Sequence, residues 1–305
     1  MIKWPDNKRI AVMLAFDIDA ETMWTTRGDG NADHITNLSR GAYGPKQGIP
    51  RILDMLDVHQ IKATFFIPGV IAEQYPLVVK EIARRGHEIG FHGYLHEEFT
   101  TTTREEEDAT MRRCEKIIED LTGQRIVGHR APGGVLHDYS LELFAEHGYI
   151  HSSNWRDSDG PFLHQINGRP VPIVELPKDS IFDDTAYDFY TDSEPERYEL
   201  KSPNEMYEIW REEFDYLADE GRMINFVLHP QFIGRASRIQ MLSRLIGYMK
   251  THGAWLDTNK AVASYLLETY GYSMIEANNE NNKKQDTAGA DALPIGHSET
   301  WHPER

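Results

Sequence analysis

Two aspartates stand one residue apart at the end of an apolar run near the start of the chain. The run reads IAVMLAF, and Asp17 and Asp19 follow it in FDIDAE. If the run is a strand, the alternation of side chains places both carboxylates on the same side of the backbone. Two neighbouring carboxylates repel each other unless a cation or an arginine neutralises one of them. The pair therefore indicates either a cation site or two aspartates that cap the following segment.

Two histidines separated by three residues follow a later apolar run. His92 and His96 form HGYLH directly after EIGF. In a helix these side chains would share one face, with Cβ atoms about 5–6 Å apart. Both imidazoles could then bind one ion, at about 2.0–2.1 Å for zinc. With a carboxylate from another segment they would leave one position open for water, which is typical of a catalytic ion. The alternative is a pair of surface histidines.

An arginine and a third histidine follow two further apolar runs. Arg130 and Pro132 occur in HRAPGG, and His229 comes directly after MINFVL. An arginine beside carboxylates can hold one of them in its ionised form, although glycine and proline alone would indicate a plain turn. Because the pKa of an imidazole lies near neutrality, His229 is a candidate for general acid–base catalysis. A lone histidine after a buried strand is more often structural, and we interpret His129 in that way.

The elements that must position these residues alternate along the chain, which is typical of βαβ units. The predicted strands are residues 9–16, 61–67, 88–91, 126–129, 149–152, 173–176, 223–228 and 254–256. The predicted helices are residues 49–59, 77–85, 103–121, 140–147, 205–219, 239–251 and 260–268. About seven such units predict an α/β fold with a distorted parallel barrel. The candidate residues follow the carboxyl ends of strands, where catalytic groups of barrels gather.

Two segments fall outside this alternation. Residues 24–48 are a glycine-containing polar insertion, predicted to be a loop, and loops of this length are usually lids or interface elements. Trp24 and Tyr43 lie in this insertion and are candidates for substrate contact. Residues 276–305 have the composition of a disordered tail. We therefore predict one barrel domain over residues 1–275, followed by a polar tail.

The composition restricts the class of partner. The 305 residues carry a formal net charge of −17, which argues against nucleic acids and anionic lipids as partners. The single cysteine, Cys114, cannot form an intramolecular disulfide, so nothing requires an oxidising compartment. The first apolar run is too short for a signal peptide, and no apolar stretch is long enough for a bilayer. We therefore predict a cytoplasmic protein that acts on a small molecule without nucleic acid or membrane.

Taken in order, FDIDAE, HGYLH, RAPGG and LHP resemble the motifs of the NodB-homology, or polysaccharide deacetylase, family over about residues 9–267. The resemblance implies a distorted (β/α)7 barrel that hydrolyses amide carbon–nitrogen bonds at one divalent metal ion. The roles that it implies are metal ligands at Asp19, His92 and His96, a catalytic base at Asp17, an orienting arginine at Arg130 and a general acid at His229. We also expect a backbone N–H of residues 92–94 to stabilise the oxyanion.

A finer resemblance concerns YGPKQGIPRILDML, IKATFFIPG, VELPKDSIFDD and LHPQFIGRASRIQML. These segments are similar to a sub-branch with peptidoglycan-deacetylase-like proteins and cyclic imide hydrolases. A related branch, the metal-independent allantoinases, lacks the metal-binding aspartate, which is present here as Asp19. The chain departs from sugar-active members at Ile18 and Gly93. His151 stands where an aspartate is expected, and Asp159 is the nearest acid that could replace it.

The departures leave the substrate open between two chemical classes. A small cyclic imide or cyclic amide fits a cytoplasmic enzyme with a lid, whereas an N-acetylated sugar or peptidoglycan fragment is the broader expectation for the family. A barrel that binds without catalysis is a third alternative, although all six family positions are present. The expected ion is Zn²⁺, and Co²⁺, Ni²⁺ or Mn²⁺ would also suit the ligand types. We further expect a homo-oligomer.

Overall fold

The structure, a computed structural model, describes residues 2–26, 34–188 and 200–271, over which strands and helices alternate. The strands are β1 (Ile10–Met13), β2 (Ala15–Asp17), β3 (Thr64–Ile67), β4 (Glu88–Phe91), β5 (Gly128–His129), β6 (His151–Ser152), β7 (Phe162–Ile166), β8 (Arg169–Glu175), β9 (Met223–Asn225) and β10 (Ala254–Leu256). The helices are α1 (Thr22–Thr25), α2 (Ile35–Tyr43), α3 (Ile49–His59), α4 (Gly69–Gln74), α5 (Pro76–Arg84), α6 (Arg104–Thr122), α7 (Ser140–Glu146), α8 (Thr185–Asp188), α9 (Pro203–Asp219), α10 (Pro230–Ile233), α11 (Ala236–Thr251) and α12 (Asn259–Thr269). Within the described ranges, each helix is too short or too polar to cross a bilayer. The predicted tail, residues 276–305, lies outside the described residues.

The first strand joins two sheets. Its β1 half pairs in parallel with β9 and β10, and its β2 half, which begins after Leu14, pairs in parallel with β3. From β3 the parallel order continues through β4, β5, β6 and β8. A single bridge joins Phe16 of β2 to Leu228 after β9. A second bridge joins Asp183, after β8, to Val227. The arrangement confirms the predicted distorted (β/α)7 barrel, in which the antiparallel β7 is an addition that the sequence did not predict.

The first strand is buried along its whole length. Residues 10–16 are each at most 1% exposed, as expected for a parallel strand that is covered on both faces. Such a strand reads as a continuous apolar run, and its carboxyl end must therefore lie inside the molecule. Asp17 and Asp19 follow at that end and are only 3% and 1% exposed. The same burial that stabilises the strand thus holds two carboxylates away from bulk water.

Reciprocal caps precede the two long helices α6 and α9, which begin one residue after and two residues before their predicted starts. Thr103 accepts a hydrogen bond from the Glu106 backbone N–H, and the Glu106 carboxylate accepts one from the Thr103 N–H. Ser202 and Glu205 form the same reciprocal cap before α9. Each cap satisfies two backbone N–H groups that have no partner within the helix. These caps set where α6 and α9 begin.

Residues 24–48, predicted to be a long loop, are mostly helical where they are described. They contain the end of α1, all of α2 and a π-helical turn at Gly44–Gly48. Their glycines indicated a loop, but two of them permit close backbone contacts instead. A Cβ at Gly41 would lie 2.5 Å from the carbonyl of Ala20, and one at Gly48 would lie 2.2 Å from that of Pro230. The insertion is therefore packed tightly on the segments after β2 and β9. The insertion glycines Gly28 and Gly30 lie outside the described residues.

Replacing Gly48 by alanine is expected to destabilise the protein by about 1–3 kcal/mol, because the new methyl group would overlap the Pro230 backbone. Gly48 has φ −66° and ψ −54°, so alanine adds no backbone strain there. The matched control is Gly247→Ala in α11, where nothing lies within 4 Å of an added Cβ. That control should stabilise the protein by about 0.5–1 kcal/mol. Urea unfolding of both variants checks the prediction, and equal shifts of the same sign would contradict it.

Candidate active site

The six residues predicted to form a site lie together at the carboxyl ends of barrel strands. Asp17 ends β2, His92 follows β4, and Arg130 follows β5. His229 comes directly after Val227 and Leu228, each of which forms a single parallel bridge to another segment. Because parallel strands end at the same side of a barrel, side chains separated by more than two hundred residues in sequence become neighbours here.

Asp19, His92 and His96 form a cluster of potential metal ligands. Oδ1 of Asp19 lies 3.3 Å from Nε2 of His92 and 3.6 Å from Nε2 of His96. Ligands of a tetrahedral zinc ion, bound at about 2.0–2.1 Å, stand roughly 3.3–3.5 Å apart. Among the described residues, the buried Oδ1 of Asp19 has no hydrogen-bond partner. A buried anionic oxygen without a donor is costly, and a cation would satisfy it. The cluster therefore fits a divalent ion.

The protonation states in this cluster suit metal binding. Burial acts to raise the pKa of Asp19, but His96 and His92 outweigh it and hold this pKa well below its ordinary value. Burial lowers the pKa of His96. Nδ1 of His92 lies 2.6 Å from the carbonyl oxygen of Arg130, and this contact fixes the proton on Nδ1. Nε2 of His92 therefore presents its lone pair to Asp19, as in metal sites where a second hydrogen bond orients the imidazole.

The HGYLH segment is a turn and not the predicted helix. His96 has φ +64° and Gly93 has φ +73°, values that a right-handed helix excludes. The Glu97 carboxylate holds the turn by accepting hydrogen bonds from the N–H groups of Tyr94 and Leu95. The Tyr94 N–H is thus committed to Glu97 and is not available to an oxyanion, so the expected oxyanion donor stays a prediction for His92 and Gly93 only. A Cβ at Gly93 would lie 3.1 Å from Glu97 Oε2, which accounts for glycine where sugar-active relatives carry Ser or Thr.

Asp17 is held by a buried arginine. Nη1 of Arg130 donates to Oδ1 of Asp17 at 2.7 Å, and Arg130 is 0% exposed. The remaining donors of this guanidinium reach Ser153 Oγ at 3.0–3.1 Å, the Phe226 carbonyl at 3.2 Å and Asn225 Oδ1 at 3.3 Å. Burial acts to raise the pKa of Asp17, but Arg130 outweighs it and lowers this pKa. Asp17 is therefore an ionised carboxylate with a fixed direction. Ser153 and Asn225 were not among the predicted site residues. In the sequence each is only a polar residue in or beside a predicted strand.

His229 is held by Asp184, which was not among the predicted site residues. Its Nδ1 lies 2.6 Å from Oδ1 of Asp184, and its backbone N–H donates to Oδ2 of the same carboxylate at 2.8 Å. Its Nε2 lies 3.5 Å from Oδ2 of Asp19. Burial acts to lower the pKa of His229, but Asp184 outweighs it and raises this pKa to about 10. His229 is therefore an imidazolium whose Nε2–H points towards the metal-ligand cluster.

Asp183, Asp184 and His229 form a second group of potential metal ligands. Nδ1 of His229 already donates to Asp184, and Asp183 Oδ1 accepts from the N–H and the hydroxyl of Thr185. These atoms have protein partners, in contrast to Oδ1 of Asp19. We therefore interpret this group as a hydrogen-bonded pair that orients His229.

Of the accompanying candidates, Pro132 lies beside the site. It is buried, and its Cγ lies 3.4 Å from the Cβ position at Gly93. Trp24 is 3% exposed and packs inside the insertion against Leu38 and Phe232, so it supports the insertion from within. Tyr43 stacks under Arg235, whose Cζ is 3.6 Å from the ring centroid, and it lines an outer cavity of about 520 Å³. The contacts described for these two rings are with the insertion and with residues 232 and 235.

The structure does not bring Asp159 to this site. Asp159 is exposed, and its carbonyl accepts a hydrogen bond from the N–H of Met223, the first residue of β9. The amino end of that strand is opposite the end where His229 lies. His151, which stands where the family has an aspartate, is also engaged elsewhere, because its Nε2 pairs with Glu88 Oε1 at 2.6 Å. Spacing along the sequence placed Asp159 near the site, whereas the strand direction excludes it.

Comparison with known proteins points to one family. Residues 42–151 match the polysaccharide deacetylase family. A peptidoglycan deacetylase of Helicobacter pylori is 28% identical over 286 residues, which cover 85% of this chain and 97% of that protein. A crystal structure of a candidate polysaccharide deacetylase from Mycobacterium smegmatis has a TM-score of 0.82 at 32% identity and covers 87% of this chain and 92% of its own. The PuuE allantoinase structure has a TM-score of 0.76 at 23% identity, covers 88% of this chain and 94% of its own, and shows the fold alone.

Proposed function

Because this chain belongs to the polysaccharide deacetylase family and is a hydrolase of carbon–nitrogen bonds other than peptide bonds, we propose that it opens a small cyclic imide or cyclic amide at a bound Zn²⁺ ion. The observation that carries this choice of substrate is the burial of the site. The side chains of Asp17, Asp19 and His92 are only 2–4% exposed. A polymer needs an open groove, whereas a small ring can enter a closed pocket.

The helical insertion supports the same choice. The Thr22 hydroxyl at the start of α1, just before the insertion, donates to the carbonyl of Asp19 at 2.6 Å, so the segment that leads into the insertion is bonded to a proposed metal ligand. Contacts at Gly41 and Gly48 then pack it against segments on both sides of the site. In this proposal the insertion, fixed by backbone contacts, covers the site, which favours a small substrate over a chain of sugars.

In this proposal Asp19, His92 and His96 hold the metal ion. When bound, the ion supplies Lewis acidity, which lowers the pKa of water and polarises a carbonyl oxygen. The protein supplies ligands in the required states, an aspartate carboxylate and imidazoles with a free nitrogen lone pair. Removal of the ion by a chelator should therefore abolish turnover, and added zinc should restore it.

The protein groups carry the two proton transfers. Asp17 accepts a proton from water as the water oxygen bonds to the carbonyl carbon, and Arg130 keeps Asp17 ionised and aimed. The carbon–nitrogen bond then breaks, and Nε2 of His229 donates its proton to the leaving nitrogen. Asp184 holds His229 in the orientation and charge state that this step requires. With a cyclic imide, ring opening leaves one carboxylate and one amide on the same product.

The second candidate function is N-deacetylation of a peptidoglycan or chitin-like sugar. It is favoured by the relative from Helicobacter pylori, a peptidoglycan deacetylase that aligns over 97% of its own length. The same residues would perform the same proton transfers on an acetamide, and the products would be acetate and a free amine. The two functions therefore differ in access to the site and not in the chemistry.

The test measures hydrolysis of succinimide beside acetate release from an N-acetylglucosamine oligomer. Both assays are run with added zinc and with a chelator. Succinimide turnover that the chelator abolishes would support the proposal. Acetate release without imide turnover would establish the deacetylase instead. Bound zinc without either activity would favour a barrel that only binds its ligand.

Asp184→Asn is expected to move the alkaline limb of the kcat/KM profile to lower pH. His229 can donate a proton only while it is protonated, and Asp184 is what raises its pKa to about 10 against the effect of burial. Asparagine removes that charge, so the pKa falls and the protonated fraction shrinks at any pH above it. We expect roughly a tenfold or larger loss of kcat/KM at alkaline pH.

The control for this variant is Asp183→Asn. The Asp183 carboxylate lies 3.8 Å from Nδ1 of His229 and is bonded to Thr185, so its removal should shift the alkaline limb less. The acidic limb, which we assign to Asp17, should stay in place in both variants. An alkaline limb that does not move in Asp184→Asn would show that Asp184 does not control His229.

A further inference from the structure

Two cationic side chains converge on the turn that follows Arg130. Measured from a Cβ position built at Gly134, Nη2 of Arg156 lies at 2.6 Å and Cε of Lys178 lies at 3.6 Å. Nη2 of Arg156 also donates to the carbonyl of Gly133 at 3.1 Å. Gly134 has φ +71°, and the missing side chain leaves the space that both cations use.

Lys178 reaches this turn from the loop after β8, at the carboxyl end of the barrel. Its backbone N–H donates to the Trp155 carbonyl at 3.0 Å, which fixes the start of the side chain. The charged groups that act on its ammonium are Arg130 and Arg156 as cations and Asp17 and Asp183 as anions. Lys178 is thus a half-buried residue beside the turn and within electrostatic reach of Asp17, the proposed catalytic base. Burial lowers the pKa of Lys178 to about 8, so it is still mainly protonated at pH 7.

Neither cation has a carboxylate partner in the part of the chain that the structure describes. Arg156 makes one described polar contact, with the Gly133 carbonyl, and no described carboxylate oxygen lies within 4.0 Å of either charged group. Other arginines, such as Arg130 and Arg211, are paired with aspartates instead. Glu98 lies near the turn at Gly133, where its Oε1 is 4.0 Å from a Cβ position built on that glycine. An external anion would therefore bind beside Gly134, where the two cationic side chains lie.

We propose that Lys178 and Arg156 bind a carboxylate carried by the substrate, so that the enzyme acts on an anionic amide or imide. An ammonium and a guanidinium whose side chains both reach the Gly134 turn can each donate to one oxygen of a carboxylate. Bound there, the carboxylate would hold the rest of the substrate towards Asp17. The position of the reacting bond rests on the proposed function, whereas the anion site rests on Lys178, Arg156 and Gly134 alone.

The experiment compares substrates that differ by one carboxylate, using the zinc-loaded full chain. The cyclic pair is dihydrouracil and dihydroorotate, and the sugar pair is N-acetylglucosamine and N-acetylmuramic acid. Lys178→Gln and Arg156→Gln are compared with Lys116→Gln, a control on the outer face of α6 whose side chain is 75% exposed. Lys178→Gln should lower kcat/KM for the carboxylated member of the active pair about 10- to 100-fold, mainly through KM. It should change the neutral member less than about threefold.

The outcomes separate this inference from the proposed function. Turnover of the sugar pair alone would overturn the cyclic substrate, and the ratio between its two members would then test the anion site. Equal losses on both members, or no loss on either, would overturn the anion site whichever pair is active. If neither pair reacts, calorimetric binding of dihydroorotate decides: weaker binding to Lys178→Gln than to the control supports the site, and equal or absent binding overturns it.

Discussion

Asp19→Ala is expected to lose its bound metal and at least about 10³-fold of kcat/KM. Asp19 is the carboxylate that both histidines face, at 3.3 Å and 3.6 Å from their Nε2 atoms. Its removal leaves two imidazole ligands, which hold a divalent ion far less tightly than three ligands that include an anion. The metal-to-protein ratio of the purified variant, measured by mass spectrometry beside its kinetics, checks both parts of the prediction.

The fold should survive this change. Asp19 Oδ1 has no hydrogen-bond partner among the described residues, so alanine removes a desolvated charge without breaking a described bond of that atom. The unfolding midpoint of the metal-free variant should therefore stay close to that of the metal-free parent. A variant that kept its zinc and its full activity would remove Asp19 from the ligand set and with it the proposed mechanism.

Asp17→Asn is expected to keep the metal and to lose roughly 10²–10⁴-fold in kcat. Asparagine retains an oxygen that can accept the 2.7 Å hydrogen bond from Arg130, but it cannot accept a proton from water. Asp17→Asn should therefore keep its metal ion, whereas Asp19→Ala should lose it. Both variants should lose most of their activity. The two aspartates, which are separated by one residue, serve as controls for each other because both are buried to a similar extent.

The two readouts distinguish the roles of this pair. Loss of zinc in Asp17→Asn would indicate that Asp17 is a ligand and not a base. Retained zinc with unchanged kcat would indicate that another group accepts the proton. Unfolding is measured in parallel, because the variant leaves the buried Arg130 guanidinium without an anionic partner, and breaking such a buried pair outright costs about 3–5 kcal/mol.

The barrel could be predicted because its signals are local. A buried parallel strand reads as an unbroken apolar run, and residues 10–16 show this pattern in both sequence and structure. Caps such as Thr103 with Glu106 mark where the long helices begin. Predictions failed where a local signal had two physical causes. The HGYLH spacing suits a helix, but Glu97 closes it into a turn, and glycines that indicated a loop serve close packing in the insertion.

The site could be predicted only as a set of separate motifs. The order of FDIDAE, HGYLH, RAPGG and LHP indicated which side chains belong together, and the structure places all six at one end of the barrel. Asp159 was misplaced because its distance along the chain from the expected position carries no information about strand direction. Cytoplasmic location and a homo-oligomeric state stay predictions.

The sequence by itself determined the fold class, the family and the residue types that we propose perform hydrolysis, since these depend on short apolar runs and on motifs a few residues long. Only the tertiary structure decided how those residues are supported. Asp184 was recognised as the partner of His229, and Ser153 as a partner of Arg130, through contacts across 45 and 23 residues. Such contacts depend on how strands and loops close around the pocket, and no local periodicity encodes that closure. The same closure brings Lys178 and Arg156 to one turn.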